Sequence, residues 1–562
     1  MDARRLMGLL VGAGLLVLGS GCETPGGGGQ PDAGGTLCTV SAVSLSGSSA
    51  NVAPGATVNL TASVNKTGSF CNGSVTWLVV PSNSGLTPSG LTATFTTATP
   101  GSYAITAISN DDTDQRASFT VNVGTPAACG TPNGNPPVTH SANITADETW
   151  AGDGQVHSVT QSIRVMAPAT LTIQPCAIVS IVKDAEIGVL GDTTGNQTAK
   201  LVAAGNDAAT GFITFLPAVN GQPWGAIHGF NQLSLVELHH TKLRQAGGSE
   251  TFLANSAIGM IGPGIHTTTP TPVLLVDDVE IDSPVGGGVY LDGMAAFDQR
   301  STGMTVVAPQ DHPIAIQIMA AGSIPPVTLK QLPAQKTPYI DAHILPAAPN
   351  ISASTTLNGN IPLYLETSVN VIDTGPNPDP LGVTLTMLAG AQLRFKPGAD
   401  LRMIFGGRGN APNNLVGRLL AVGTPDKPIV FTSAADVPFA GDWAGLQLAT
   451  SDNSQMMFNT IEYAGGFGGV VSANCRPTGT SDNAALIIGG PDYTPSGTTI
   501  VSSTIQYSAG YGIDAIWQAG TASDPNLAGA GNTFNNNAGC DQTYNGLLPG
   551  AGDCPQGGGC TQ

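Results

Sequence analysis

One eleven-residue stretch occurs twice in this chain, and that repetition limits the folds open to it. Leu171-Thr-Ile-Gln-Pro-Cys-Ala-Ile-Val-Ser-Ile181 returns as Leu385-Thr-Met-Leu-Ala-Gly-Ala-Gln-Leu-Arg-Phe395. Leu171, Ile173, Val179 and Ile181 match Leu385, Met387, Leu393 and Phe395 at one offset of 214 (385 minus 171). Apolar residues alternate with others in both copies, which predicts strands.

The duplication is longer than this stretch. Asn143-Ile144 corresponds to Asn350-Ile351, Ser162-Ile-Arg-Val165 to Ser368-Val-Asn-Val371, and Leu201-Val-Ala-Ala-Gly205 to Leu419-Leu-Ala-Val-Gly423. Trp224-Gly-Ala-Ile227 resembles Trp443-Ala-Gly-Leu446, and Leu243-Arg-Gln-Ala-Gly-Gly248 corresponds to Ile461-Glu-Tyr-Ala-Gly-Gly466. The units span about 143–297 and 350–517, and the offset drifts from 207 to about 226 as loops lengthen. Each unit predicts short strands and turns in cycles of roughly 20–25 residues. One such cycle cannot bury both faces of its strands, but stacked cycles can. The predicted fold is therefore all-β, with a long right-handed parallel β-helix over 143–540 favoured over a propeller or stacked sandwiches. Asn532, Asn535, Asn536 and Asn537 fall at expected turns, where Asn tolerates left-handed backbone.

Composition excludes several partners. Lys+Arg total 19 against 38 Asp+Glu, a formal net charge of −19, and only 10% of residues are charged. Such a chain is unsuited to nucleic acid or an anionic membrane surface, and to a polyanion without a bridging cation.

Ahead of the duplication the chain divides readily. Residues 1–22 predict an export signal, with Arg4 and Arg5 before an apolar run, Leu6 to Leu18, that is short for a bilayer span. Leu18-Gly-Ser-Gly-Cys22 resembles a bacterial lipobox, although Leu stands four residues before the Cys where the family has three. The resemblance implies acylation of Cys22 and a membrane anchor. Residues 23–36 read as a Gly/Pro tether. Residues 37–123 predict a small β-sandwich, with strands at Val40–Leu45, Thr57–Val64, Val75–Val80, Ala93–Thr96, Tyr103–Ser109 and Ala117–Val123. Its order of Val-Ser-Leu, Pro-Gly-Ala-Thr-Val-Asn-Leu-Thr-Ala, Val-Thr-Trp77 and Pro-Gly-Ser-Tyr-Ala-Ile-Thr-Ala resembles bacterial Ig-like surface domains, which act as spacers or binding modules. Residues 124–142 read as a second linker, and 541–562 as a Cys/Gly-rich tail. Across 143–540 the phrases Thr-Leu-Thr-Ile, Leu-x-Ala-x-Gly, Ile-x-Phe, Trp-Gly-x-Ile and Ala-Gly-Gly resemble pectin-lyase-fold repeats of bacterial surface lipoproteins.

Chemistry is sparse by comparison. Beyond Cys22, eight cysteines remain: Cys38, Cys71, Cys129, Cys176, Cys475, Cys540, Cys554 and Cys560. An even number in an exported chain predicts disulfides. Cys38–Cys71 would staple the sandwich. Cys129–Cys176 would pin the linker, since Cys176 replaces Gly390 of the other copy. The other four leave several pairings open. In Val276-Asp-Asp-Val-Glu-Ile-Asp282, alternation predicts Asp278, Glu280 and Asp282 on one outward face, where a Ca²⁺ would relieve their repulsion. Pectate lyases of the resembled fold hold Ca²⁺ in this way. Arg300 and Lys330 are the nearest basic residues downstream in sequence. The acidic loop Asp111, Asp112, Asp114 is a weaker Ca²⁺ candidate, and His239-His240 should point to opposite faces. No nucleophile elbow, zinc-protease, P-loop or dinucleotide motif is present, so no catalytic residue is assigned.

The sequence reads as an exported lipoprotein of the cell envelope, at the outer membrane or cell surface. It is expected to be a non-enzymatic binding or scaffold protein, an adhesin or carbohydrate binder, with a polysaccharide or cell-surface ligand and no cofactor besides a candidate Ca²⁺. The alternative is a polysaccharide lyase or glycoside hydrolase working on the outer face of the helix, with clustered carboxylates and Arg or Lys as its mark.

Overall fold

The alternation in the duplicated stretch becomes stacking. The strands Thr170–Ile173 and Ile178–Ile181 turn Leu171, Ile173, Val179 and Ile181 fully inward. Leu171 then lies in register with Leu201, Leu201 with Val236, and Val236 with Leu274, all buried. Each buried aliphatic side chain in such a ladder contributes about 1.5–3 kcal/mol of transfer free energy. The ladders merge into one core from Ile144 to Ile513.

The computed structural model describes residues 38–543 and the strand 560–561. Within that span it leaves out 49–50, 53–54, 69–70, 83–84, 124–128, 130–131, 193–195, 207–210, 249–254, 265–268, 332–339, 347–349, 373–381, 404–416, 449–452, 467–482, 489–497 and 516–529. The described chain is all-β, with large parallel sheets of 13, 12, 8 and 5 strands, an arrangement consistent with a parallel β-helix. The 13-stranded sheet runs from Ile163–Met166 to Thr533–Asn535. At about 4.8 Å between strands it is roughly 60 Å long. Cycle length varies more than the sequence predicted. Paired inward positions are 24 residues apart at Ile163 and Ile187, but 44 apart at Ile461 and Ile505. The 12-stranded sheet begins inside the expected linker, because Val138–His140 pairs in parallel with Val156–Val159.

Corners between sheets adopt left-handed backbone whichever residue stands there. His240 and Phe458 occupy equivalent corners at φ 41° and 52°, and Gln245 and Tyr463 at 50° and 62°. Turn geometry overrides residue preference at these places. Among the four asparagines, only Asn536 has positive φ (53°). Asn532 and Asn537 instead bridge rungs. Their carbonyls accept from the Ser503 and Ser508 N–H groups at 2.9 and 3.0 Å, and their amides donate to Ile500 O and Ile505 O.

The two copies are out of phase. Ile187–Leu190 matches Asp400–Met403 in sequence, yet it lies in the same 13-stranded sheet as Gln392–Phe395, which matches Ile178–Ile181. The segment between the copies does not complete a whole number of turns. The second copy therefore enters one face later.

The N-terminal unit is a pair of four-stranded sheets around Val58, Leu60, Trp77, Phe95, Tyr103, Ile105 and Val121. All six expected strands form, joined by Asn51–Val52 and Leu86–Ser89. Leu86–Ser89 carries Pro88, and it is an edge strand, where proline is tolerated.

Disulfides link Cys38 to Cys71 and Cys129 to Cys176. Cys176 has φ 69° where Gly390 has 86°, so both copies keep the same left-handed turn and only one uses it for a cross-link. Cys540 is also disulfide-bonded. Cys22, Cys475, Cys554 and the side chain of Cys560 lie outside the described residues.

Candidate functional site on the outer faces of the parallel sheets

The acidic stripe does not form the face its alternation predicted. Asp278 has φ 51° and makes a corner, so the strand Thr271–Asp282 serves two stacks, one before and one after it. Glu280 and Asp282 remain on the outward side beyond the corner, while Asp278 leaves it. Each carboxylate has its own cation or imidazole. Asp278 pairs with His240 Nδ1 at 2.9 Å, Glu280 with Lys242, and Asp282 with Arg244 Nε at 4.0 Å. Lys330 approaches Glu280 at 3.6 Å. Burial works to raise the Glu280 carboxyl, but Lys242 and Lys330 outweigh it and hold it below its usual range. Arg300 goes elsewhere. Among the described residues the only trio of potential ligand atoms within reach of one another is Cys38, Cys71 and Asp111, and both sulfurs there are in a disulfide. Asp111 instead accepts the backbone N–H groups of Asn72 and Gly73 at 3.1 and 2.6 Å.

The cations that answer the stripe carry a signal in the sequence. Val236, Leu238 and Leu243 stand 38 residues before Leu274, Val276 and Ile281, their ladder partners. The same offset sets Lys242 against Glu280 and Arg244 against Asp282. Beside them opens a groove of about 310 Å³, lined by Leu216, Pro217, Asn220, Arg244, Gln245 and Asp282 with Ser283. The half-exposed Arg244 guanidinium is the loosest-held charge on this face.

Before the corner the outward residues are covered. Glu237 is 5% exposed, and its carboxylate sits between Lys200 Nζ at 2.9 Å and Arg300 at 3.1 Å. Arg300 also forks onto Asp298, with Nε to Oδ1 and an amino nitrogen to Oδ2, both at 2.9 Å. Burial works to raise the Glu237 carboxyl, yet Lys200 and Arg300 hold it below its usual value. His239, 2% exposed, bonds Asp277 at 3.1 Å, and Thr302 donates to the other oxygen of Asp277 at 2.5 Å. His239 and His240 thus face different carboxylates across the corner, not one metal.

A second cluster, unmarked by any motif, crosses the 13-stranded sheet. His343, Tyr364, Arg394 and Thr432 follow one another in register on successive strands, and Thr432 donates to Glu462, which also accepts from Gln506. The nearly buried Asp341 takes His312 Nδ1 at 2.8 Å and pairs with Arg394. His312 stacks on Tyr364, ring centroids 4.9 Å apart at 12°. Glu366 lies between His343 at 3.2 Å and Lys396 at 2.9 Å. The two imidazoles are pushed apart in affinity for a proton. Burial acts to lower His312, but Asp341 outweighs it and raises it; burial and neighbouring His312 lower His343. Divergent pairs of this kind suit acid and base roles as well as ligand binding. The residues come from strands far apart in sequence, so no local pattern marks them.

No family model, curated protein or solved structure matches this chain.

Proposed function

We propose that the protein is an exported, lipid-anchored, non-enzymatic binding or scaffold protein of the bacterial envelope. It would offer the outer faces of its parallel sheets to a polysaccharide or other cell-surface ligand. The observation that carries this reading is the pairing on the charged face. Lys242, Arg244 and His240 are engaged with Glu280, Asp282 and Asp278, which supports a polar face whose charges are answered from within the protein. The ladder His343, Tyr364, Arg394 adds one planar group per rung, a spacing suited to an extended glycan. The right-handed, pectin-lyase-like reading of the stack rests on the repeat phrases. The Ig-like reading of the sandwich is supported by Tyr103, whose hydroxyl donates to Thr99 O at 3.0 Å in the manner of a tyrosine corner.

A second reading, a polysaccharide lyase or hydrolase, is favoured by one feature: carboxylates with Arg and Lys do cluster beside the groove at Arg244 and Asp282. The two readings separate in one experiment. The Cys22→Ala chain, released as soluble protein, is titrated with neutral and acidic polysaccharides with and without Ca²⁺, and each mixture is assayed for chain cleavage. Binding without cleavage is expected. Arg244→Ala should weaken binding about tenfold if the groove is used, the loss of roughly one charged hydrogen bond. Cleavage abolished by Glu280→Gln or His312→Ala would establish the enzyme instead.

The anchor has its own expected result. Cys22→Ala should move the protein from the membrane fraction to the soluble one and remove its fatty-acid label. A wild-type chain that carries no acyl label would refute lipidation.

A further inference from the structure

The N-terminal end of the parallel stack is closed by three rings. Trp150 is 1% exposed and points into the core, with His157 beside it at 2%. Its indole stacks on His140 at 4.0 Å between centroids and on His157 at 5.1 Å. Val138–His140 lies over Val156–Val159 as the first strand of that stack. The segment leading into it is held by Gln155, which donates to Pro136 O at 3.1 Å, and by the Asn133 N–H on Gly154 O.

Hydrogen bonding fixes the protons in this plug. His157 Nε2 lies 2.8 Å from Ala151 O, which only accepts, so Nε2 carries a hydrogen. His157 Nδ1 lies 3.0 Å from His140 Nε2. A neutral His157 therefore accepts there, and His140 donates. A first added proton is accommodated, because His140 can carry its hydrogen on Nδ1 toward Glu148 and accept at Nε2 from protonated His157; a second sets two N–H donors against each other inside the core. His140 is less constrained, because a second proton on its Nδ1 would face Glu148 Oε1 at 3.4 Å. Glu148 is the charged group facing the pair, and it also accepts the Trp150 indole N–H at 2.7 Å. The strands beneath, Thr170–Ile173 and Ile178–Ile181, present only Leu171, Ile173, Val179 and Ile181 to the interior.

We infer that the His140–Trp150–His157 plug is an acid-operated lock on the N-terminal end of the stack, closed while at least one of the two imidazoles is neutral and opened when both are protonated. Opening frees the strand edge of Val156–Val159 and the apolar end of the core, and the Cys129–Cys176 disulfide keeps the released flap tethered. The direction of the proton affinities agrees. Burial and the neighbouring imidazole lower His140, and burial lowers His157. A group whose folded value is depressed binds protons better when released. The lock is thus fully stable above the ordinary histidine value of about 6.5 and weakens as pH falls below it. This inference is independent of what the outer faces bind.

The test is hydrogen exchange of the full chain followed by peptide mass analysis, corrected for intrinsic rate, near pH 7.5 and near pH 5. The opening constant of the 138–159 segment should rise about tenfold per pH unit below about 6.5 for one proton taken up. Strands from Ile227 onward should keep their protection. His157→Gln preserves a donor and an acceptor without titrating, and should flatten the dependence. His140→Gln should do the same, since its amide oxygen can accept from a protonated His157. Equal protection of the segment at both pH values would overturn the lock, as would opening of the whole stack together. Undiminished pH dependence in whichever glutamine variant folds would also overturn it.

Discussion

Trp443→Ala is expected to cost about 3–5 kcal/mol and to open the rungs around it before the rest of the stack. Trp443 is fully buried, stacked on Phe395 at 4.1 Å between centroids and 4° between planes. Its indole N–H donates to Glu462 O on a neighbouring rung at 2.8 Å. The first copy repeats the device, with Trp224 donating to Arg244 O at 2.8 Å and lying 6.2 Å from Phe215. Truncation removes the largest side chain in a close-packed ladder and leaves a cavity that fixed rung spacing cannot collapse. It also leaves a carbonyl without its partner. Trp443→Phe keeps most of the packing and should lose only about 1 kcal/mol with the hydrogen bond. Chemical denaturation of both variants, with exchange to locate the opening, checks the size and the place. A Trp443→Ala loss below about 1 kcal/mol would show that the stack relaxes around the void.

Glu237→Gln is expected to destabilise the first half of the stack by about 2 kcal/mol, because it leaves Lys200 without its carboxylate on a covered face and Arg300 with Asp298 alone. Removing one partner of a buried pair is costlier than the pair was worth, since the desolvated charge stays behind. The wild type should show a matching pH signature. The folded Glu237 carboxyl lies below its ordinary value, so the unfolded chain binds the proton more tightly. Its contribution is complete above about 4.5 and is lost as pH falls through and below that value. The gap in denaturation midpoint between wild type and variant should narrow from near pH 7 to near pH 3. A constant gap across that range would mean that the network owes its stability to packing and not to charge. The contrast with Arg244 and Asp282 is instructive. That pair is 4.0 Å apart and half open to water, and its removal should change stability by less than about 1 kcal/mol.

Much of the fold was open to reading because a stacked strand leaves a period in the chain. Leu171, Ile173, Val179 and Ile181 had to alternate to point inward, and the second copy had to repeat them to continue the ladder. The sandwich strands announced themselves through alternation between Pro-Gly and Asn-Asp turns. The paired positions of Cys176 and Gly390 marked one left-handed turn serving two purposes. The candidate sites were much less legible. Alternation put Asp278 with Glu280 and Asp282, but a corner at Asp278 separated them, and nothing in a period of two announces a corner.

The sequence by itself determined which residues are inside, in what order the strands come, and which two pairs of cysteines staple the chain at residues 38–71 and 129–176. These follow from burial and chain connectivity, which act along the chain. Only the tertiary structure decided which face each strand joins and which charges meet across it. The second copy begins one face later because the chain between the copies ends partway through a turn, and a turn count is a property of the coil. Glu280 finds Lys242 and Lys330, Glu237 finds Arg300, and Asp341 finds His312 and Arg394, each from a neighbouring rung or loop. Rung lengths set those meetings, and they vary from one cycle to the next because lengthening a loop costs little and leaves the ladder beneath it unchanged.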